Sequence, residues 1–162
     1  MKAVIQRVRH ASVDVDGQTV GSCGHGLMIL LGVADGDSWE EGNILLQKIL
    51  KLRIFEDENG KMNRSIQDVG GEMLVISQFT LLANCRHGNR PDFFGAAKPD
   101  AANELYERFV AEASAVLSHV GHGIFGADMK VSLLNDGPVT IVLDTNDLRP
   151  AQKSASSTMR PV

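Results

Sequence analysis

Hydroxyl and amide side chains directly follow an apolar segment in the middle of the chain. The apolar segment is 73–76, and the residues after it are Ser77, Gln78, Phe79 and Thr80. Strand alternation places Ser77 and Phe79 on one face and Gln78 and Thr80 on the other. Two interpretations are open: a strand edge whose hydroxyls bond to the backbone, or a pocket rim that offers polar groups to a substrate.

Two further segments have residue types that could contact a ligand. The sequence Asn135-Asp136-Gly137-Pro138 lies between two apolar segments, and its composition favours a hairpin turn between the last two strands. Residues 86–90, Arg-His-Gly-Asn-Arg, form a local cationic loop. Such a loop either contacts phosphate or is simply solvated, and by itself it favours the solvated interpretation.

Other kinds of site find little support. His119 and His122 have no carboxylate or thiol at a supporting spacing, so we expect no metal site. The glycine clusters match neither GxGxxG nor a P-loop, and Ser77 is not in a G-x-S-x-G elbow. Cys23 and Cys85 form no CxxC, which is typical of a cytosolic chain with reduced thiols.

Composition indicates one packed domain. The chain has 162 residues, of which 43% are hydrophobic and 22% charged. Its net charge of −4 does not indicate a nucleic-acid protein, because such proteins are usually strongly basic. The longest apolar run, 27–33, is too short to span a bilayer, and the first residues lack the pattern of a secretory signal. We therefore expect a cytoplasmic protein that does not bind membranes.

The elements that must position these residues follow the predicted order β-β-β-α-β-α-β-β. Asp16-Gly17 predicts a type I′ hairpin turn, and Ser38 with Glu41 predicts a capping box for a helix over 39–52. Asp100 is predicted to cap a second helix with one apolar stripe, formed by Leu105, Phe109, Ala113, Val116, Leu117 and Val120. The predicted fold class is mixed, β-rich α/β, with an antiparallel-rich sheet or partial barrel and two main helices.

The C-terminal residues differ in composition from the rest. Residues 145–162 contain Arg149, Lys153 and Arg160 against only Asp147, and they have no periodic apolar face. With little to bury, this segment is predicted to be a disordered basic tail after a domain over 1–144. A basic tail could help to hold RNA, but a solvated extension is the favoured interpretation.

From Met1 to about Asp144 the chain resembles the D-aminoacyl-tRNA deacylases. The resemblance rests on several long motifs in the same order, at 3–8 with 11–13, 53–55 with 60–63, 75–81, 90–91 and 131–140. It implies a homodimer that hydrolyses the ester between a D-amino acid and the 3′ end of tRNA, and that also removes glycine from mischarged tRNA. It implies no metal or organic cofactor. The alternatives are a non-catalytic RNA- or metabolite-binding dimer on the same fold and a hydrolase for another aminoacyl ester.

The resemblance assigns the catalytic motif Ser-Gln-x-Thr to Ser77, Gln78 and Thr80, with Phe79 between them. Thr80 could be a nucleophile, but no histidine or carboxylate is adjacent in sequence to activate it. We favour the route that the family offers instead, in which the 2′-hydroxyl of the terminal adenosine helps to activate water. Backbone amides near Phe79 and Thr80 would then stabilise the oxyanion.

The resemblance also assigns substrate-binding residues. The family's Gly-cisPro motif, which rejects L-amino acids and reaches into the partner subunit's pocket, corresponds to Gly137 and Pro138. Glycine allows a close approach and proline fixes φ, so their carbonyls can stand rigidly around the substrate Cα. Such a filter excludes the L side chain and accepts glycine, which has none. Phe125 and Met129 match positions near the terminal adenosine.

Overall fold

One long strand organises the sheet. The computed structural model describes residues 1–150. Its elements in chain order are β1 (Lys2–Val15), β2 (Gln18–Cys23), β3 (Gly26–Gly32), α1 (Trp39–Lys51), β4 (Phe55–Glu56), β5 (Met62–Arg64), β6 (Glu72–Ser77), a 3₁₀ helix (Phe79–Leu82), α2 (Pro99–Ser114), β7 (Val120–His122), β8 (Lys130–Asp144) and α3 (Thr145–Leu148). β1 pairs with β2 and β3 along one side and with β8 along the other.

The sheet is mixed, which corrects the prediction of an antiparallel-rich one. β1 pairs with β2, β3 and β8, β3 pairs in turn with β6, and β6 pairs with β7. The pairs β3–β6 and β6–β7 are parallel. A parallel pair needs a crossover between its strands, and α1 and α2 lie in these two connections. The predicted α/β class is confirmed, with three helices rather than two main ones in the described residues.

The sheet curls until two of its edge strands, β2 and β7, touch. A Cβ atom at Gly21 of β2 would collide with the main-chain oxygen of His122, and one at Gly121 of β7 would collide with that of Ser22. The imidazole Nε2 of His119 lies 2.8 Å from the Ser22 oxygen. Because only glycine permits this approach, the contact between β2 and β7 gives the sheet an almost barrel-shaped form.

Two local predictions are confirmed. Asp16 and Gly17 have φ of 50° and 74°, the positive pair that a type I′ turn requires. Helix α1 begins with the predicted capping box: the Ser38 hydroxyl accepts from Glu40 N at 3.2 Å, and Ser38 N donates to the Glu41 carboxylate at 2.7 Å.

The second helix differs from its prediction at both ends. Lys98 is its N-cap residue and Pro99 its first residue, so Asp100 lies in the first turn and does not cap it. Proline is favoured at this position because the helix needs no amide hydrogen there. The helix ends at Ser114, and Val120–His122 form the short strand β7. His119 therefore directly precedes β7 and His122 is its last residue. Val116, which was predicted to lie on the apolar stripe of the helix, is exposed.

The prediction of a hairpin turn at 135–138 is wrong. β8 is one strand that pairs with β1 both before and after this segment. Gln6 pairs with Thr140 and Val8 with Asn135, so residues 136–139 form a bulge opposite the single residue Arg7. β1 is long enough to pair with both halves of β8, so the chain continues in the same direction instead of turning back.

The core has two parts, one on each face of the sheet. The larger part packs α1 and α2 against β3 and β6 through Ile29, Leu45, Phe109 and their neighbours. The smaller part lies on the opposite face and includes Met28, Leu74 and Ile76. No helix within residues 1–150 is long and apolar enough to cross a membrane.

Part of the predicted tail is ordered. Thr145–Leu148 form α3, Thr145 is buried, and its backbone N donates to Met1 O at 3.0 Å. The guanidinium of Arg149 pairs with the Glu41 carboxylate of α1. The predicted disorder is therefore corrected for these residues, and for 151–162 it lies outside the described residues.

Candidate functional site

The polar motif lies at the junction of a strand and a short helix. β6 ends at Ser77, and the 3₁₀ helix begins at Phe79 with Gln78 as its N-cap residue. The predicted strand alternation across Ser77–Thr80 is therefore wrong, since the chain turns after Ser77. Gln78 N donates to Leu31 O at 2.8 Å, which fixes the turn to the neighbouring strand β3.

The turn leaves the polar groups of the motif accessible. The side chain of Gln78 donates to Thr80 Oγ1 at 3.0 Å. The first bond of the 3₁₀ helix runs from Leu81 N to Gln78 O at 3.3 Å, so the amides of Phe79 and Thr80 precede it at the helix N-terminus. The motif thus brings a hydroxyl, an amide side chain and a pair of backbone N–H groups together at the start of the 3₁₀ helix, where Phe79 and Thr80 are exposed and Gln78 is half-buried.

An apolar cavity of about 380 Å³ opens beside this motif. Phe79 and Phe125 both line it, so the structure brings together two predicted site residues that are far apart in sequence. Phe93 also lines the cavity, and its ring meets that of Phe79 edge to face at 5.0 Å between centroids. A cavity of this size and lining is suited to a small organic group such as a side chain or a nucleobase.

Met129 does not line this cavity. It packs against the smaller core part with Leu133, on the other face of the sheet. A Cβ atom at Gly123 would collide with the Met129 sulfur, so Met129 lies directly against the Gly123 backbone. Gly123 and Phe125 together line a second cavity, of about 340 Å³, beside Tyr106. Met129 thus packs against residue 123, two residues before Phe125 in the chain.

Gly137 and Pro138 lie in the bulge of β8, and both are exposed. The peptide bond between them is cis, and Gly137 has φ of 152°, a value that L side chains rarely adopt. Asn135 clamps the bulge, because its side-chain oxygen accepts from Val139 N at 2.8 Å and its side-chain nitrogen donates to Val139 O at 3.1 Å. The bulge is therefore held in one shape by hydrogen bonds.

Arg7 supports this bulge from β1, although the sequence analysis did not single it out. Its side chain is buried, with Nε donating to Asp136 O at 2.8 Å and Nη1 donating to Ile54 O at 2.7 Å. Arg9 pairs with the Asp136 carboxylate at 3.2 Å. A signal was available in the sequence, since Ala3, Ile5 and Arg7 share one face of β1 and a charge on an inward face needs a partner.

The two motifs do not meet within the described part of the chain. The cavity beside Phe79 is lined by no residue of 135–139. The cavity at the foot of the bulge is smaller, about 210 Å³, and is lined by Arg7, Arg9, His25 and Asp136 among others. The segment Ser77–Thr80 and the segment Gly137-Pro138 therefore lie beside separate cavities of the described chain.

Within residues 1–150 no group of three or more histidine, cysteine, aspartate or glutamate side chains could hold a metal ion. Both histidines considered for this role bond to main-chain oxygens instead: His119 to Ser22 and His122 to Gly123. Cys23 is buried, and burial raises its thiol pKa to about 11, whereas Cys85 is exposed.

Comparison with known proteins gives a consistent result. A model of the D-Tyr-tRNA(Tyr) deacylase family matches residues 4–144. A D-aminoacyl-tRNA deacylase of Sulfurihydrogenibium sp. is 58% identical over 91% of this chain and 100% of that protein. One from Bacteroides thetaiotaomicron is 54% identical over 91% and 99%.

Two solved structures are also similar. One titled "c-Myc DNA Unwinding Element Binding Protein" is 42% identical, with a TM-score of 0.83 over 89% of this chain and 98% of that one. A probable eukaryotic D-amino acid tRNA deacylase is 16% identical, with a TM-score of 0.76 over 88% and 97%, and shows likeness of fold alone.

Proposed function

The chain belongs to the D-Tyr-tRNA(Tyr) deacylase family, and we propose that it hydrolyses the ester between a D-amino acid and tRNA. The strongest support is sequence identity: over 91% of its length, the chain is 58% and 54% identical to two proteins named D-aminoacyl-tRNA deacylase. The activity removes D-amino acids before they enter translation, and its substrate places the protein in the cytoplasm. We take residues 1–144 as the deacylase domain.

In this proposal the cavity beside Phe79 receives the aminoacylated end of the tRNA. Phe125 contacts the terminal adenosine, and Met129 supports the segment that positions Phe125. Ser77, Gln78 and Thr80 position the ester at the N-terminus of the 3₁₀ helix. The apolar lining supports this assignment, since it can bury an aromatic side chain or a base while the polar rim holds the reacting group.

Hydrolysis needs water, a group that activates it, and stabilisation of the oxyanion. Water adds to the ester carbonyl carbon, the bond from that carbon to the ribose 3′ oxygen breaks, and this oxygen takes the proton that water gives up. The adjacent ribose 2′-hydroxyl helps to activate the water. The amides of Phe79 and Thr80, which precede the first bond of the 3₁₀ helix, face the negative oxygen that forms.

Gly137 and Pro138 form the chiral filter. Enantiomers differ only in the direction of the side chain at Cα, so discrimination needs rigid atoms there. The Asn135 clamp and the Arg7 hydrogen bonds support such rigidity in the bulge. Glycine has no side chain to exclude, so glycyl-tRNA is accepted as well.

The filter acts in the cavity of the partner subunit of a homodimer. Three observations support this arrangement. The filter motif is exposed and lines no part of the Phe79 cavity of its own protomer. Within residues 1–150, β8 pairs with one strand, β1, along one of its two sides. It also presents the exposed apolar side chains Val131, Leu134 and Val142, of which Val142 is 72% exposed.

The test is hydrolysis of D-Tyr-tRNA and L-Tyr-tRNA at catalytic enzyme concentration. Turnover of the D form alone supports the proposal. Binding of both without turnover would favour the alternative, a non-catalytic RNA-binding dimer. Mixing a Gly137→Ala variant with a Phe79→Ala variant tests the dimer: a mixed dimer has one intact site, so activity returns only if the filter crosses between subunits.

A further inference from the structure

A cationic loop stands beside the cavity that Phe79 and Phe125 line. The cationic loop, residues 86–90, contains Arg86 and Arg90, and Lys98 follows it as the N-cap residue of α2. Residues 84–98 contain one carboxylate, Asp92, in a chain whose net charge is −4. All three cations are exposed. None of them takes part in the ion pairs found within residues 1–150. Their charge is therefore available to an external anion.

The base of this loop is closed by hydrogen bonds. Asn84 N donates to Asp92 O at 2.8 Å, and Asp92 N donates to Asn84 O at 3.1 Å. The Asp92 carboxylate accepts from the Asn84 side chain at 3.2 Å and from Phe94 N at 3.3 Å. The single carboxylate of the segment thus holds the loop together, and it forms no ion pair with Arg86 or Arg90 within residues 1–150.

The loop leads into a turn whose tip is an aromatic ring. Ala96 N donates to Phe93 O at 3.0 Å, which places Phe94 and Gly95 at the two central positions of a β-turn. Phe94 is 91% exposed. Phe93 and Ala96, on either side of the turn, line the cavity. Phe94 therefore lies at the rim of the cavity, on the side of the cationic loop.

We infer that Phe94 and the cationic loop bind the unpaired nucleotides that precede the terminal adenosine of the tRNA. This inference rests on the proposed function, because a tRNA whose last nucleotide occupies the cavity must leave it across the rim. The Phe94 ring stacks on a base, while Arg86 and Arg90 contact the phosphates on either side of it. Aromatic rings combined with cations are the usual means of holding single-stranded nucleic acid.

The experiment compares two substrates in single-turnover assays. One is D-Tyr-tRNA, and the other is 3′-O-(D-tyrosyl)adenosine, which lacks both the phosphates and the preceding bases. Phe94→Ala is expected to lower kcat/KM for D-Tyr-tRNA about tenfold, the scale of one lost stacking contact. Arg86→Gln with Arg90→Gln is expected to have a similar effect. Neither change should alter hydrolysis of the adenosine ester.

Matched controls are available elsewhere on the chain. Lys48→Gln with Lys51→Gln removes the same charge from the exposed face of α1, and Met62→Ala shortens an exposed apolar side chain of β5. Both controls should leave kcat/KM for D-Tyr-tRNA unchanged.

The salt dependence of tRNA binding gives a second measurement. The variant Arg86→Gln with Arg90→Gln should reduce the slope of log affinity for uncharged tRNA against log salt by about 1.4, the value for two lost single-strand phosphate contacts. Fluorescence anisotropy measures this slope.

Several outcomes would overturn the inference. Equal losses on both substrates would place Phe94 in the aminoacyl cavity, and no loss on D-Tyr-tRNA would remove the surface from substrate binding. Dissociation of the Phe94→Ala protein in sedimentation would show that a second copy of this chain covers the ring. If the unaltered enzyme hydrolysed neither substrate, the proposed function would fail, while the anisotropy result would still decide whether this surface binds RNA.

Discussion

The Arg7 side chain donates from Nε to the main-chain oxygen of Asp136 at 2.8 Å, across the ladder between β1 and β8. Asp136 directly precedes Gly137, the glycine that we propose as part of the chiral filter. The same guanidinium donates from Nη1 to Ile54 O at 2.7 Å, in the segment after α1. The buried Arg7 guanidinium thus links the bulge of β8 to the segment that follows α1.

Arg7→Lys should therefore impair both stability and activity. A lysine ammonium cannot reproduce two diverging bonds from a planar group. We expect the free energy of unfolding to fall by about 1.5–3 kcal/mol, the range for one lost hydrogen bond to a charged group. With the bulge displaced, kcat/KM for D-Tyr-tRNA should fall about 100-fold. Urea unfolding and single-turnover kinetics measure the two effects.

The control for Arg7→Lys is Arg64→Lys, which alters an exposed ion pair with Glu58. It should change neither quantity measurably, since surface pairs contribute little. Full activity in folded Arg7→Lys protein would show that the bulge does not depend on this side chain.

Gly137→Ala should reduce turnover of D-aminoacyl-tRNA. At φ of 152° an added Cβ lies 2.7 Å from Val139 N and 2.8 Å from Val139 Cγ2, so the bulge must shift. We expect kcat/KM to fall about 100-fold, because small displacements of positioning atoms have effects of this size. Gly60→Ala is the control: Gly60 also has positive φ, but no atom lies within 4 Å of its added Cβ. Wild-type turnover by folded Gly137→Ala protein would remove Gly137 from the site.

Thr80→Ala should retain substantial activity if the substrate's own hydroxyl assists the reaction. The Thr80 hydroxyl accepts from the Gln78 side chain, and neither of these groups is a base. A tRNA that ends in 2′-deoxyadenosine and is charged at the 3′-hydroxyl should bind but hardly react. Well-oriented intramolecular groups can lower barriers by roughly 7–11 kcal/mol, so losing one is severe.

Both Thr80 measurements need single-turnover conditions, so that product release does not mask the chemical step. Thr80→Ser provides the variant that keeps a hydroxyl. Normal turnover of the deoxy substrate, together with a folded but inactive Thr80→Ala enzyme, would identify Thr80 as the nucleophile.

The two cysteines should differ in reactivity. Burial raises the pKa of Cys23 to about 11, so this residue remains a thiol at pH 8, whereas the exposed Cys85 can react. A thiol reagent at pH 8 should label one residue per folded chain and both after denaturation. Equal labelling of both cysteines in folded protein would contradict the burial of Cys23.

The same pKa shift predicts a pH dependence of stability. The unfolded thiol ionises near 9.0 and the folded one near 11. The contribution of Cys23 to stability is therefore complete below pH 9 and is lost as the pH rises toward 11. Cys23→Ala should remove this part of the alkaline destabilisation in unfolding measured across that range.

Local features of the structure were predictable from sequence because neighbouring residues determine them. The Asp16-Gly17 turn and the Ser38–Glu41 capping box each depend on a few adjacent side chains, and both are confirmed. The family and its activity also followed from ordered motifs along the chain. The second helix was predicted, but not its N-cap, because Pro99 begins a helix as readily as Asp100 caps one.

Long-range pairing determined the rest. The segment 135–138 has the composition of a hairpin turn, yet it forms a bulge because β1 pairs with β8 on both sides of it. Phe79 and Phe125 share a cavity only because the sheet and α2 bring their segments together. Nothing in the sequence around Arg7 distinguishes it from the nearby Arg9, and its role depends on carbonyls of residues 54 and 136. Local preferences act over a few residues, whereas these contacts exist only once the strands have paired and the core has closed.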